Sequence, residues 1–479
     1  MSWRPVLLIA GVAAVIHLAV AARYGWHRDE FYYVITGRHL AWGYVDQPPL
    51  TPALARLAAA LPGGVLPLRI LAIAANAGCV LLAARLAAEL GGRPRAQLIS
   101  AAAVAACPAY VGASALFGTT GTDQLCWLAV TVATARALRL GTIPAWLLAG
   151  LLAGLGLENK DTIAALLIGI ALGLLVTRRA ALRTPGPWLA GALAALIALP
   201  NILWNASSGW PDVRMAEVLS GRQGSALTQV PELLLLLTGP PLVCLWIVGV
   251  RQLCGRAGRS HRWLLVVAIT AVAFIAVTSG KSYYAAPALP GLFAAGAARV
   301  EAADTSDGRR RWPIAIAATG VFAMVVGLPV LPPKIANSVA IGAGSPVLET
   351  YGWSGYVQQI VSVADEYPAD TVIFTSNYGE AGALTILGPS EGLHNPVGSG
   401  HNAYGYWAPP PGSDATVLCV GEFTPGYLHR FWSRVTEIAP LTMPDGLSNE
   451  ETQQGAAIYL CQQPRGTWAQ LWPGLKHLS

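Results

Sequence analysis

Two adjacent carboxylates, Asp29 and Glu30, stand in the stretch Trp26-His27-Arg28-Asp29-Glu30-Phe31-Tyr32-Tyr33, just past a long apolar run. Flanking rings take part of the water from such acids, which raises their pKa values and suits one of them to general-base work. A solvated loop with an interfacial aromatic belt explains the same residues without any chemistry. The lysines form a second signal, because the chain uses 27 Arg and only 4 Lys. Lys160, in Glu158-Asn159-Lys160-Asp161, and Lys281, in Gly280-Lys281-Ser282-Tyr283-Tyr284, both lie at the ends of apolar runs. A lysine there meets a phosphate as a point charge while its stem stays among apolar groups; snorkelling, or pairing with Glu158, is the plain alternative. Asp123, in Gly118-Thr119-Thr120-Gly121-Thr122-Asp123-Gln124, is a third acid at a helix edge, where capping is its ordinary role.

The elements that must hold these residues are read from composition. Of 479 residues, 54% are hydrophobic and 12% charged, and the mean hydropathy is +0.50. That is about half the charge of an ordinary soluble chain, so the expected class is a polytopic α-helical membrane protein. A spanning helix needs roughly 20 apolar residues. Eleven candidate spans lie near residues 4–22, 67–90, 96–116, 124–141, 144–158, 162–177, 187–204, 230–250, 262–279, 284–298 and 313–331. The first is read as a retained helix rather than a removed leader.

Charge sets the orientation. With the N-terminus cytoplasmic, the inner connections carry Arg85, Arg93 and Arg95; Arg136 and Arg139; Arg178, Arg179 and Arg183; and the clusters 251–262 and 299–311. The other side collects Asp29, Glu30, Asp46, Asp123, Glu158, Asp161 and Asp212, so the positive-inside rule places residues 335–479 outside the cytoplasm. The domain boundary is expected at 334/335, where the net charge changes from +14 over residues 1–334 to −8 over 335–479. Basic clusters between apolar runs do not make a nucleic-acid platform, so no nucleic-acid partner is expected.

Residues 335–479 lack a run long enough to span and read as a small α/β domain, with strands at 371–375 and 416–420 and helices at 357–366 and 427–435. Within it, Asn377-Tyr378-Gly379-Glu380 and Ser399-Gly400-His401-Asn402-Ala403-Tyr404 read either as a sugar-stacking surface or as tight turns. Cys419 and Cys461 have the option of a disulfide outside the cytoplasm, while Cys79, Cys107, Cys126 and Cys244 are packing residues in apolar runs. Loop 205–230, with Trp210, Asp212, Arg214, Glu217, Arg222 and Gln223, is either an entrance for a second substrate or an interfacial turn.

The order of these motifs resembles the membrane glycosyltransferases of the GT-C class, and within it family 39, which includes protein O-mannosyltransferases and lipid A aminoarabinose transferases. The likeness rests on Asp29-Glu30 in a long first outer loop (about 23–66), Asp46-Gln47-Pro48-Pro49-Leu50, Asp123, Lys160, and Lys281-Ser282-Tyr283-Tyr284-Ala285-Ala286-Pro287, and it covers about residues 1–330. It implies a GT-C fold in the cell membrane and an inverting transfer of sugar from a polyprenyl-phosphate donor to an acceptor glycan, lipid or protein at the outer face. It further implies that Asp29 is the base and that Glu30 orients the acceptor or supports Asp29. Asp46 and Asp123 would line the cavity, Lys160 and Lys281 would stabilise the departing phosphate, and Tyr283 and Tyr284 would pack near it.

Two departures narrow the resemblance. Aminoarabinose transferases tend to carry Glu-Lys ahead of the Pro-Pro pair, where this chain has Asp46-Gln47, and the missing cation argues against a lipid A acceptor. The family's zinc-holding acid has no matching His here, so no metal or other cofactor is expected, with a divalent ion left open. A transporter or flippase of a lipid-linked sugar is the competing class; it would call for polar residues at mid-membrane and broken helices.

Overall fold

The computed structural model describes residues 3–220, 226–303, 306–339 and 346–479, so Arg222 and Gln223 lie outside the described residues. The chain divides into two compact units. One comprises the described residues of Met1–Ala21, Ala41–Leu54 and Leu66–Val330; the other comprises Ala22–Leu40, Ala55–Val65 and Leu331–Ser479. Residues 22–40 and 55–65 of the first loop, grouped by sequence with the helical part, therefore fold with the C-terminal segment.

In the first unit, every apolar run expected to span is helical. The helices are Trp3–Val20, Leu66–Glu89, Pro94–Ala106 continued by Pro108–Ala113, Thr119–Leu140, Ile143–Leu157, Ile163–Thr177, Pro185–Ser207, Pro240–Cys254, Trp263–Thr278, Leu289–Ala303 and Ser306–Gly327. Among the described residues, Trp3–Val20, Leu66–Glu89 and Pro185–Ser207 are long and apolar enough to cross a membrane on their own. Thr228–Leu237 and Pro240–Cys254 pass only as a pair, bent by 103°. Gly239 at φ 85° and the following Pro240-Pro241 explain that break, because proline cannot continue the preceding helix.

Packing in this unit uses small residues. A Cβ on Gly249 would collide with the carbonyl oxygen of Leu292, and one on Gly296 with that of Leu245, so helices Pro240–Cys254 and Leu289–Ala303 approach backbone to backbone. Leu7, Leu8, Val15, Val176, Leu196 and Val277 point outward instead, as side chains in contact with lipid would.

The second unit is built on a five-stranded sheet of order β2-β1-β3-β5-β4, with β1 Thr371–Thr375, β2 Val397–Ser399, β3 Ser413–Gly421, β4 Trp432–Pro440 and β5 Ala457–Pro464. β1 pairs parallel with β2 and β3, while β5 pairs antiparallel with β3 and β4. Alternation along the strands feeds two cores. Ile373, Leu418, Val420 and Ile458 pack with Phe31, Trp353, Tyr356 and Ile360 on one face, and Val372, Phe374, Val417 and Tyr459 with Trp432 and Trp472 on the other. The expected strands and the helix near 357–366, observed as Trp353–Ala364, are present. The helix expected at 427–435 is not: a single turn, Pro425–Leu428, gives way to β4, because strand pairing with β5 outweighs the local helical pattern. Cys419 and Cys461 are buried free thiols. Cys419 pairs with Tyr459 and Cys461 with Val417, so the two thiols stand diagonally on neighbouring strands, where their side chains interact.

Candidate active site

In the first unit the site begins at the 158–161 turn. Helix Ile143–Leu157 closes with Asn159 and Lys160 both donating their backbone N–H to the Gly156 carbonyl, at 3.0 Å each. Asn159 fixes the turn, accepting from Thr51 Oγ1 at 2.8 Å and donating to the Thr119 carbonyl at 3.0 Å. Lys160 then lies with its Nζ 3.2 Å from Thr120 Oγ1, 4.7 Å from the ring centre of Tyr284 and 5.4 Å from that of Tyr283. The two tyrosines meet edge to face, centroids 4.8 Å apart, and Lys281 Nζ lies 6.0 Å from Tyr283. Gln229 Oε1 steadies this segment by accepting from the Ser282 N–H at 2.7 Å. Lys160, Lys281, Tyr283 and Tyr284, named from sequence alone, thus converge in space: two cations around two rings.

The acids of this unit surround that cluster electrostatically. Asp123 is buried and accepts from Thr162 Oγ1 at 3.0 Å, so it holds the turn, and Lys160 acts on both Asp123 and Asp161. Burial raises the Asp161 carboxyl above its ordinary value, with Lys160 opposing. Asp212, 2.5 Å from its donor Asn205 Nδ2, is pushed up to about 7 by burial and then by the charge of Asp161, with Asp46 adding to it. Gln47 is 3% exposed, and neither of its amide atoms has a hydrogen-bond partner among the described residues; the same holds for Glu158 Oε1. Buried polar groups without partners are costly and ask for a ligand or water. Sequence reasoning missed Thr51, Asn159, Thr162 and Gln229, whose roles rest on contacts far along the chain.

In the second unit, Gly25 at φ 106° turns the chain into helix Arg28–Arg38. His27 caps it, its side chain accepting from the Asp29 N–H, while Glu30 reaches back to accept from the His27 N–H at 2.9 Å. Glu30 is fully buried in this capping box, so its placement supports the helix that carries Asp29. Asp29 is 41% exposed; its Oδ1 accepts from the Tyr378 hydroxyl at 2.8 Å and its Oδ2 lies 3.7 Å from His27 Nδ1. Arg28, 11% exposed, reaches Glu450 at 2.6 Å and the fully buried Glu451 at 3.3 Å, and lies 5.1 Å over the Tyr378 ring. Burial pushes Glu451 up to about 7 against the pull of Arg28. Tyr378 therefore sits beside Asp29, and His401 stacks on its ring. Among the described residues no three His, Cys, Asp or Glu side chains converge as a metal-holding group.

Residues 46–204 match the family described as dolichyl-phosphate-mannose-protein mannosyltransferase, a segment that holds Asp46, Asp123 and Lys160. No curated protein matches the chain. The crystal structure of ArnT from Cupriavidus metallidurans bound to undecaprenyl phosphate aligns at TM-score 0.65 and 14% identity over 96% of this chain and 98% of that one. Its apo form aligns at TM-score 0.66 and 15% identity over 95% and 97%. A cryo-EM structure of the arabinofuranosyltransferase AftD from Mycobacteria aligns at TM-score 0.52 and 13% identity over 96% of this chain and 40% of that one. The chain shares the GT-C fold of these structures, and three of its described helices are long and apolar enough to cross a membrane.

Proposed function

We propose that the chain is an integral-membrane, inverting glycosyltransferase that moves a sugar from a polyprenyl-phosphate donor to an acceptor hydroxyl at the outer face of the plasma membrane. The observation that carries this reading is the Lys160–Tyr284–Tyr283–Lys281 cluster, two cations gathered around two rings. Such a cluster suits a lipid phosphate, whose charge grows as the sugar leaves. The match to the mannosyltransferase family and the fold shared with an ArnT that binds undecaprenyl phosphate support the same reading.

In this mechanism the acceptor oxygen attacks the anomeric carbon from the face opposite the phosphate, its proton passes to Asp29, and the carbon–oxygen bond to phosphate breaks. Inversion follows. Lys160 and Lys281 hold the departing phosphate, Tyr283 and Tyr284 pack around it, and Glu30 supports Asp29 through the helix cap. Asp46, Asp123 and the unpaired polar atoms of Gln47 and Glu158 suit the hydroxyls of a sugar. The eleven apolar segments would cross the membrane with the N-terminus cytoplasmic, leaving residues 335–479 as an extracytoplasmic domain.

One observation favours transport of the intact lipid-linked sugar instead: the 103° break at Gly239, of the kind transporters place near their substrates. A single experiment separates the readings. Purified, reconstituted protein is offered a panel of short-chain polyprenyl-phosphate sugars in acceptor-containing membranes, and free polyprenyl phosphate is followed, with Asp29→Asn alongside. Release by the wild type and not by the folded variant is expected; movement of intact lipid without release would establish transport.

A further inference from the structure

We infer that Tyr378 is a positioning residue for Asp29, holding its carboxylate ionised and in one orientation; this rests on the proposed role of Asp29 as the base. The geometry is local to one unit. Asn377 caps helix Tyr378–Leu387, its side chain accepting from the N–H groups of Gly379 and Glu380, and so sets the direction in which Tyr378 leaves the backbone. The ring is then held on several sides. Tyr32 lies against it with centroids 4.5 Å apart, His401 stacks on it at 4.8 Å, and the Arg28 guanidinium lies 5.1 Å from its centre. Tyr32 is itself held, its hydroxyl accepting from the Ala403 N–H at 3.2 Å. The phenol hydroxyl reaches Asp29 Oδ1 at 2.8 Å.

The direction of that hydrogen bond is set by chemistry. Burial, then the Asp29 charge, holds the Tyr378 phenol well above its ordinary value, so the proton stays on tyrosine and the carboxylate accepts. A hydrogen bond to the charged form favours it, so Asp29 is kept ready to take a proton. A base must also be in place when the acceptor hydroxyl arrives, and one oxygen tied to a stacked ring removes the rotation of a short side chain. Nothing in the sequence near Asp29 announces this partner, which is 349 residues away.

Other charges act on the same carboxylate. His27 and Arg28 belong to its own helix end, and Tyr33 acts on the Tyr378 phenol; Glu450 and Glu451 neutralise Arg28, and Glu349 interacts with His27. A change confined to the Tyr378 hydroxyl leaves all of these in place, which is what makes the test specific.

The test uses the full chain in detergent and needs no substrate. A carbodiimide activates the protonated carboxyl, an added amine traps it as the amide, and mass spectrometry of the Asp29 peptide gives the labelling midpoint against pH. Tyr378→Phe keeps the ring stack and is expected to move that midpoint upward by about one pH unit. 3-Fluorotyrosine at 378, a stronger donor, is expected to move it downward. Midpoints unchanged in both variants would overturn the inference, including where Tyr378→Phe is merely less stable. With a working donor, Tyr378→Phe is expected to lower kcat with KM for the donor unchanged, and to move the acid limb of the profile with the labelling midpoint. Full activity of Asp29→Asn would instead sink the assignment of the base while leaving the labelling result intact.

Discussion

Arg28→Met removes the cation beside a fully buried carboxylate while keeping an apolar stem over Tyr378. Arg28 Nη1 lies 3.3 Å from Glu451 Oε1, and Glu451 is already pushed up to about 7 by burial with the arginine in place. Two charges at that distance interact by about 5 kcal/mol at an effective dielectric of 20, and breaking a buried pair costs about 3–5 kcal/mol. The pair with the 55% exposed Glu450 adds little, because surface pairs contribute about 0–1 kcal/mol. The sign of the pH dependence follows from linkage. Glu451 has a folded pKa above its unfolded one, so its contribution is fully present at low pH and is lost as pH rises through the folded value; removing Arg28 raises that value further. Near pH 5 the carboxyl is protonated with or without Arg28, and only the lost cation–ring contact and surface pair remain, about 1 kcal/mol. At pH 8 the variant's carboxyl stays protonated, so the loss grows by at most about 1.4 kcal/mol, the one pH unit above the folded value of about 7. For a unit of this size each kcal/mol moves Tm by roughly 2–4 °C, so the deficit should be about 5–10 °C at pH 8 and about 2–4 °C at pH 5. Thermal unfolding followed by tryptophan fluorescence reads it, since Trp353 packs 5.6 Å from Phe31 in the same unit. An equal deficit at both pH values, or one below 2 °C at pH 8, would refute the reasoning.

Three further outcomes are expected. Lys160→Ala should lower kcat on the lipid donor by on the order of 100-fold, because a point charge about 4 Å from a phosphate oxygen contributes between about 1 and 4 kcal/mol as the surroundings vary from wet to partly dry. Lys160→Arg should restore part of it, and unchanged donor kinetics in the alanine variant would remove Lys160 from the site. Asp212, pushed up to about 7, costs the folded state stability as pH rises from about 4 to about 7, by at most about 4 kcal/mol, so Asp212→Asn should raise Tm at pH 8 and leave it nearly unchanged below pH 4. Asp29→Asn should stop release of polyprenyl phosphate without a change in Tm, which the reconstituted assay and a thermal scan check together.

Much of the helical part was legible from sequence because its cause is local: a run of Leu, Ala, Ile and Val buries itself as a helix wherever it falls, and its length alone marks it. The same holds for Lys160 and Lys281, which stand out because arginine is the chain's ordinary cation. Strands β1 and β3 were readable from short β-branched runs. β4 was not, since Trp432–Val435 satisfies a helical pattern and becomes strand only because β5 offers its backbone groups partners.

The site divides along the same line. Which residue types are present, and that Asp29 follows an apolar helix, is fixed by the order of the chain. That Lys160 and Lys281, 121 positions apart, meet around one pair of tyrosines depended on how the helices pack. Only the tertiary structure decided that Glu30 is spent on a helix cap, that Arg28 faces a buried Glu451, and that the hydroxyl of Tyr378 reaches Asp29. Hydrophobic length is a property of neighbouring residues, whereas a hydrogen bond between residues 29 and 378 exists only once the intervening chain has folded to bring them within 2.8 Å.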